Sequence, residues 1–371
     1  MGGQIMGEIG VDDNKKLLQL FGSMLLYVFS LFLLFLAKEY KGFAEWYSAT
    51  IYPVLVNCIG RLESIFPFSL VEIFLYIAII VCVISIFIFI LQVVRKKKKL
   101  SHIYIGLLYL VHGAAILFFL YTINCGINYQ RVSFSQHNGF EVVSYTSSDL
   151  AILCEDLTVE VNLWAGMVKR NTEGICIVDT TVQNQAVEAM KMVSKDYIGL
   201  SDYYPRPKKL WASGILSVQN LSGIYSPFTI EANYNGDMLP YNIPFTACHE
   251  LSHLKGFMQE DEANFIAYLA CEKSDVPEFR YSGSLTAWIS SMNVLSKSDK
   301  EAYKTIRRQI NPIVEADLTA NNSFWKRYDT KVAKAAVKMN DTYLKANGQS
   351  DGVKSYNRMV DLMVGYKVFF K

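Results

Sequence analysis

At 371 residues the chain exceeds a single small core and has room for two or three domains. An apolar fraction of 51% and a charged fraction of 19% exclude a disordered chain and set it apart from an ordinary soluble enzyme. A net charge of +2, with no basic stripe interleaved with aromatics, argues against nucleic acid as a partner, and seven cysteines do not make a disulfide scaffold.

The apolar excess lies in residues 1–125, which read as a membrane region. Three stretches, about 17–37, 73–91 and 104–124, reach the roughly 20 residues that cross a bilayer core as a helix. The first is too long for the apolar segment of a cleaved signal peptide, and no small-x-small site follows Ala37, so it reads as a retained helix. His112, near the middle of the third, is expected as a neutral histidine hydrogen-bonded between helices. Arg95, Lys96, Lys97, Lys98 and Lys99 mark the loop between the second and third helices as cytoplasmic. The N-terminus, with Lys15 and Lys16, then also lies inside. The loop from Lys38 to Phe68 and everything after Asn124 lie outside.

Residues 126–371 have a globular composition and read as an α+β domain. Its front half, 126–243, is mixed. A helix is expected from Asp149 to Met167, capped by Ser148 or Asp149, with Leu150, Leu153, Leu157, Val161 and Leu163 near helical spacing. Another is expected from Gln185 to Val193. Lys209 to Tyr234 reads as two short strands with a turn near Asn220 to Gly223. The back half, 244–371, is helical, broken at Gly256, Pro277, Pro312 and Asn347 to Gly352.

One motif carries chemistry. His249-Glu250-Leu251-Ser252-His253 is an HExxH. Residues four apart share a helix face, so His249 and His253 offer two imidazoles to one ion. Glu250 projects beside them, placed to take a proton from a metal-activated water. Catalytic zinc takes three protein ligands and keeps one position open. The only other histidine of this domain is His137, so a carboxylate is expected as third ligand. Gly256 ends the first helix, and a second helix starting near Met258 carries Glu260-Asp261-Glu262-Ala263-Asn264. Glu260 and Asn264 share one face and Glu262 points away. Glu260 is the preferred ligand and Glu262 the alternative, with Asn264 placed to orient a ligand histidine.

HExxH followed by Glu-x-x-Ala-Asn resembles the gluzincin metallopeptidases, and looks most like the ImmA/IrrE-type and Ste24-like enzymes. The likeness runs from Thr246 to Cys271 and implies a zincin-like fold, a Zn²⁺ cofactor and Glu260 as third ligand. The spacer between His253 and Glu260 is only six residues, and Asn264 stands where many gluzincins have aspartate. The wider frame resembles an uncharacterised family of bacterial membrane proteins with three N-terminal helices, the phrase Gly223-Ile-Tyr-Ser-Pro-Phe-Thr-Ile-Glu-Ala-Asn233 and Tyr343-Leu-Lys-Ala-Asn347. That likeness implies a multi-pass protein of the bacterial cell membrane.

These features lead to a membrane-anchored zinc metallopeptidase. It would cut a peptide or protein substrate outside the cytoplasm, with Glu250 as general base. Tyr281 and Tyr343 are candidates to stabilise the transition state. Ile224, Phe228 and Asn233 mark a segment that either pairs with an extended substrate or is a plain sheet strand. The alternative function is a catalytically silent membrane protein that uses the HExxH helix as a structural or binding site. Cys154, Cys176, Cys248 and Cys271 read either as disulfide partners or as buried thiols.

Overall fold

The computed structural model describes residues 2–97, 103–140, 142, 144–201 and 203–370. Lys98 and Lys99 of the basic run lie outside the described residues. Among those described, three helices are long and apolar enough to cross a membrane: Lys16–Glu39, Leu70–Val94 and Ile103–Gln130. The first belongs to a longer helix, Gly2–Glu39. The third loosens at its end into a π turn at Thr122–Gly126 and a 3₁₀ turn at Asn128–Gln130.

The first and third membrane helices pack side by side and run parallel, because partner numbers rise together. Ser23 meets His112, Tyr27 meets Phe118 and Phe29 meets Phe119. The Ser23 hydroxyl donates to the Gln19 carbonyl at 2.8 Å, which leaves the Nδ1–H of His112 as donor across the 2.8 Å contact between the helices. This is the interhelical role expected of His112.

The second membrane helix is tied to the rest of the chain through its first turn. Glu231 accepts from the backbone N–H groups of Leu70 and Val71 at 2.8 Å each. In return Glu72 accepts from the N–H groups of Trp211 at 2.9 Å and Ala212 at 2.7 Å. Free N–H groups at a helix start need such acceptors. Glu231 also receives Lys208 Nζ at 2.7 Å and Thr229 Oγ1 at 2.6 Å. Lys208 donates further to the Glu63 carbonyl at 2.9 Å and pairs with the Glu63 carboxylate.

The stretch from Lys38 to Phe68, expected as a loop, is helical at Lys41–Trp46, Tyr47–Ile51 and Tyr52–Glu63. Pro53 sits in the first turn of the last helix, where its missing N–H costs nothing. This segment is fixed to the rest by Tyr52 on Tyr225 and Ser48 on Asn128, both at 2.8 Å. A core of Ala37, Tyr52, Val56, Ile127, Ile230 and Leu254 joins the C-terminal ends of the first and third membrane helices to the sheet and the HExxH helix. A larger core fills the helical body.

The sheet has three short strands: β1 (Lys208–Lys209), β2 (Gly223–Ser226) and β3 (Glu231–Tyr234). β3 is central, parallel to β1 and antiparallel to β2, with Gly223 opposite Tyr234. The turn expected near Asn220 to Gly223 is a helix end instead. Ser213–Val218 is helical, and Asn220 takes φ +59 behind it. Leu221 N–H bonds the Leu216 carbonyl and Asn220 N–H that of Ser217, the bond pattern that closes a helix with a left-handed residue. The hairpin turn comes later, at 227–230.

Helix Ser147–Ala165 is capped by Thr146, with Asp149 completing the capping box from inside the helix, not by Ser148 or Asp149 as expected. Helix Val182–Val193 begins three residues before its expected start.

Candidate metal centre

The HExxH helix spans Asn242–Leu254, and Pro244 to Leu254 are all buried. It stops because Gly256 adopts φ +85, with Gly256 N–H bonding the His253 carbonyl at 2.8 Å and Phe257 N–H that of Ser252 at 3.3 Å. A side chain at 256 would also press on Arg131 and Tyr52. This cap turns the Phe257 carbonyl onto Nδ1 of His253 at 2.9 Å. The ring is thereby oriented with Nε2 facing inward, as ligand histidines require.

The chain returns as helix Glu260–Lys273, starting two residues later than expected. Its first residue reaches back into the HExxH face. Glu260 Oε2 lies 3.3 Å from His249 Nε2 and 3.6 Å from His253 Nε2. The ligand atoms of His249, His253 and Glu260 all lie within 4.8 Å of one another. Two ligands about 2.0–2.1 Å from a tetrahedral zinc stand roughly 3.4 Å apart. Glu260 Oε2 and Glu250 Oε2 are buried without a hydrogen-bond partner. Buried carboxylate oxygens are costly unless something positive meets them. The donor set, its spacing and these orphaned oxygens fit a metal ion.

The electrostatics agree. Burial pushes the Glu250 carboxyl up to about 7 against the pull of the two histidines. Burial would also raise Glu260, but His253 and His249 hold it well below the usual carboxylate range. Burial opposes the charging of His253, yet Glu260 lifts it to about 9.

Gly223 of β2 lies directly on Glu250. A Cβ there would sit 2.4 Å from Glu250 Oε1 and 2.8 Å from Thr246 Cγ2. Only a bare Cα lets the strand approach this closely. Two cavities of about 370 and 350 Å³ meet at His249 and Glu250.

Several expected roles do not survive. Glu262 accepts from the Phe134 N–H at 2.6 Å and faces away from the histidines. Its carboxyl is pushed up to about 8, chiefly by burial. Asn264 lines one cavity but donates to the Tyr356 carbonyl at 3.3 Å, not to a ligand histidine. Tyr281 is fully buried and spends its hydroxyl on Asp317 at 2.6 Å, so it cannot serve the site. Asn233 lies on the central strand with its amide donating to the Glu231 carbonyl at 3.3 Å, so it marks no edge. Ile224 does lie on the edge strand, Phe228 in the turn beyond it, and Tyr343 lines the second cavity with His253 and Glu260.

Sequence reasoning missed Tyr356, whose hydroxyl hydrogen-bonds Glu260 and accepts from Asn340 at 3.3 Å. With 23 tyrosines and no motif around position 356, nothing in the sequence singles it out. Cys248 and Cys271 are buried free thiols hydrogen-bonded to each other, and Cys154 and Cys176 are free and buried as well.

No curated protein and no solved structure matches the chain. One family profile does match, over residues 47–364, which include the helical segment after the first membrane helix, two of the three membrane helices and the whole candidate centre. The chain therefore belongs to the family described as "Protein of unknown function (DUF3810)".

Proposed function

We propose that the chain is a membrane-anchored, zinc-dependent peptidase that cuts peptide bonds outside the cytoplasm of a bacterial cell. The observation that carries this reading is the buried His249–His253–Glu260 group with an unpartnered Glu250 carboxylate beside it. A structural zinc site fills all four positions with side chains, whereas this one has three ligands and a base. His249, His253 and Glu260 would hold the ion. When bound, zinc supplies Lewis acidity that acidifies a water and polarises a carbonyl.

The chain's own residues do the rest. Glu250 takes the proton of the attacking water and passes it to the departing amine, with its Oε2 free of other partners. Gly223 holds the edge strand against Glu250 and fixes the direction of its carboxylate. The Phe257 carbonyl orients His253. Tyr343 lines the cleft with its hydroxyl on Tyr129 and 3.7 Å from Cys125 Sγ, so it serves the cleft as a wall. The basic Arg95–Lys97 run favours a cytoplasmic loop and hence an external domain.

The test is metal content and peptide hydrolysis of the purified full-length protein. About one zinc per chain and chelator-sensitive hydrolysis are expected. Absence of stoichiometric metal from wild type loaded with excess zinc would sink the reading.

A further inference from the structure

We infer that the substrate is a membrane-tethered polypeptide, cut at an internal bond beside an apolar stretch close to the bilayer surface. This rests on the peptidase reading and adds a substrate class to it.

The two cavities that meet at His249 and Glu250 differ in chemistry. One is lined by Gln219, Asn220, Ser222, Asn242 and Asn264 beside Phe245. The other is lined by Tyr121, Cys125, Ile224, Phe228, Met258 and Tyr343. Tyr121 and Cys125 belong to the third membrane-spanning stretch, Ile103–Gln130. The wall of the apolar arm is therefore the end of a membrane helix. The arm is fastened to that helix, since Asn124 donates to the Pro227 carbonyl of the β2–β3 turn at 2.7 Å. Tyr343 stacks edge-on against Tyr121 and Tyr129, each at 6.3 Å.

The same end of the molecule carries exposed aromatics. Trp211 is 64% exposed, Trp46 54% and Phe66 41%. Phe68 packs between Phe66 and Trp211 at 5.7 and 5.6 Å. Aromatic side chains in this position settle at the headgroup level of a bilayer. The domain thus rests on the membrane with its apolar arm beside the lipid.

Charge excludes a different substrate class. Among the described residues lining either arm there is no lysine or arginine, and the only acids are Glu250 and Glu260. Nothing charged is left to grip a free carboxyl or amino terminus of a peptide. The cleft suits an internal bond, with an apolar side chain on the membrane side and a polar segment on the other.

The experiment uses full-length protein in liposomes and four peptides. Two carry a membrane anchor and two do not, and in each pair an apolar stretch near the bilayer is kept or replaced by serine and asparagine. Anchored apolar peptide should be cut about ten- to a hundredfold faster than anchored polar peptide, the range expected for burying one large apolar side chain. Phe228→Ser should collapse that ratio. In Glu250→Gln, a photoreactive phenylalanine placed in the apolar stretch should cross-link to residues 121–129 or 343. Equal cutting of all four peptides, or cross-links confined to 219–222, would overturn the substrate class and leave the peptidase reading standing. If no peptide is cut faster by wild type than by Glu250→Gln, the peptidase reading falls and takes this inference with it.

Discussion

Two clusters of buried acids lie within this chain and are neutralised in opposite ways. Around Lys208, the Glu231 carboxylate has donors on both oxygens, all supplied by the chain: a lysine, a threonine hydroxyl and two N–H groups at a helix start. Around His249, Glu260 lies against two imidazoles, and Glu250 packs beside them with no lysine or arginine among the described residues reaching it. Glu250 Oε2 has no hydrogen-bond partner, and Glu260 Oε2 meets only the two imidazole nitrogens, 3.3 and 3.6 Å away. Similar side chains buried to a similar depth therefore do different work. The cluster around Lys208 is bridged by a lysine and holds structure together, whereas the one around His249 offers two imidazoles and a carboxylate, a donor set that suits a divalent cation.

The sharpest way to break the comparison is at the base. Glu250→Gln keeps shape and removes the proton acceptor, so hydrolysis should fall by roughly 10²–10⁴-fold while zinc, measured by mass spectrometry of the metal, stays. Equal activity in wild type and variant would put the open cluster in the class of silent binding sites. The reciprocal cut is Lys208→Met, which strands two buried carboxylates. Unfolding midpoints in detergent should show a loss of about 3–5 kcal/mol, with zinc stoichiometry of the folded fraction unchanged.

Glu260→Gln and Glu262→Gln sharpen the open side. The first should weaken zinc binding by roughly a hundredfold or more, and the second should leave it intact because Glu262 serves Phe134. The reverse pattern in a competitive chelator titration would mean that the glutamate helix sits in another register. Gly223→Ala should lower the rate by roughly tenfold without metal loss, since its methyl has to displace Glu250 or the strand.

The smallest effect concerns pH. Burial raises the Glu63 carboxyl from its ordinary 4.5 to about 7, despite Lys208. The folded state holds that proton more tightly than the unfolded chain, so stability falls as pH rises through this window. Melting temperature should drop between pH 5 and 8 and flatten in Glu63→Gln. A wild-type melting temperature that rises across that range would contradict the assignment.

What sequence made legible was local. The HExxH spacing, the third carboxylate at Glu260 and three apolar runs of spanning length depend on near neighbours and helical period. The rest depended on distant partners. Lys208 meets Glu63 145 residues away, and no periodicity announces that. Asn220 and Gly223 read as hairpin punctuation, yet Asn220 closes a helix and Gly223 makes room for Glu250. Lys38 to Phe68 read as a loop because it joins two apolar runs, yet it folds into helices in which Pro53 fits the first turn. Tyr281 and Tyr356 differ only in which acid each hydroxyl finds, Asp317 or Glu260.

The reciprocal clamp between Glu231 and the first turn of the second membrane helix has a mechanical consequence. The helix is a lever about 25 residues long whose fulcrum is β3. Any change in its tilt pulls on Leu70 and Val71 against Glu231, and on Trp211 and Ala212 against Glu72. β3 shares its register with β2, and β2 begins at Gly223, in contact with Glu250. Load applied to the helix by a thicker or thinner bilayer thus runs through one strand pair to the Glu250 carboxylate.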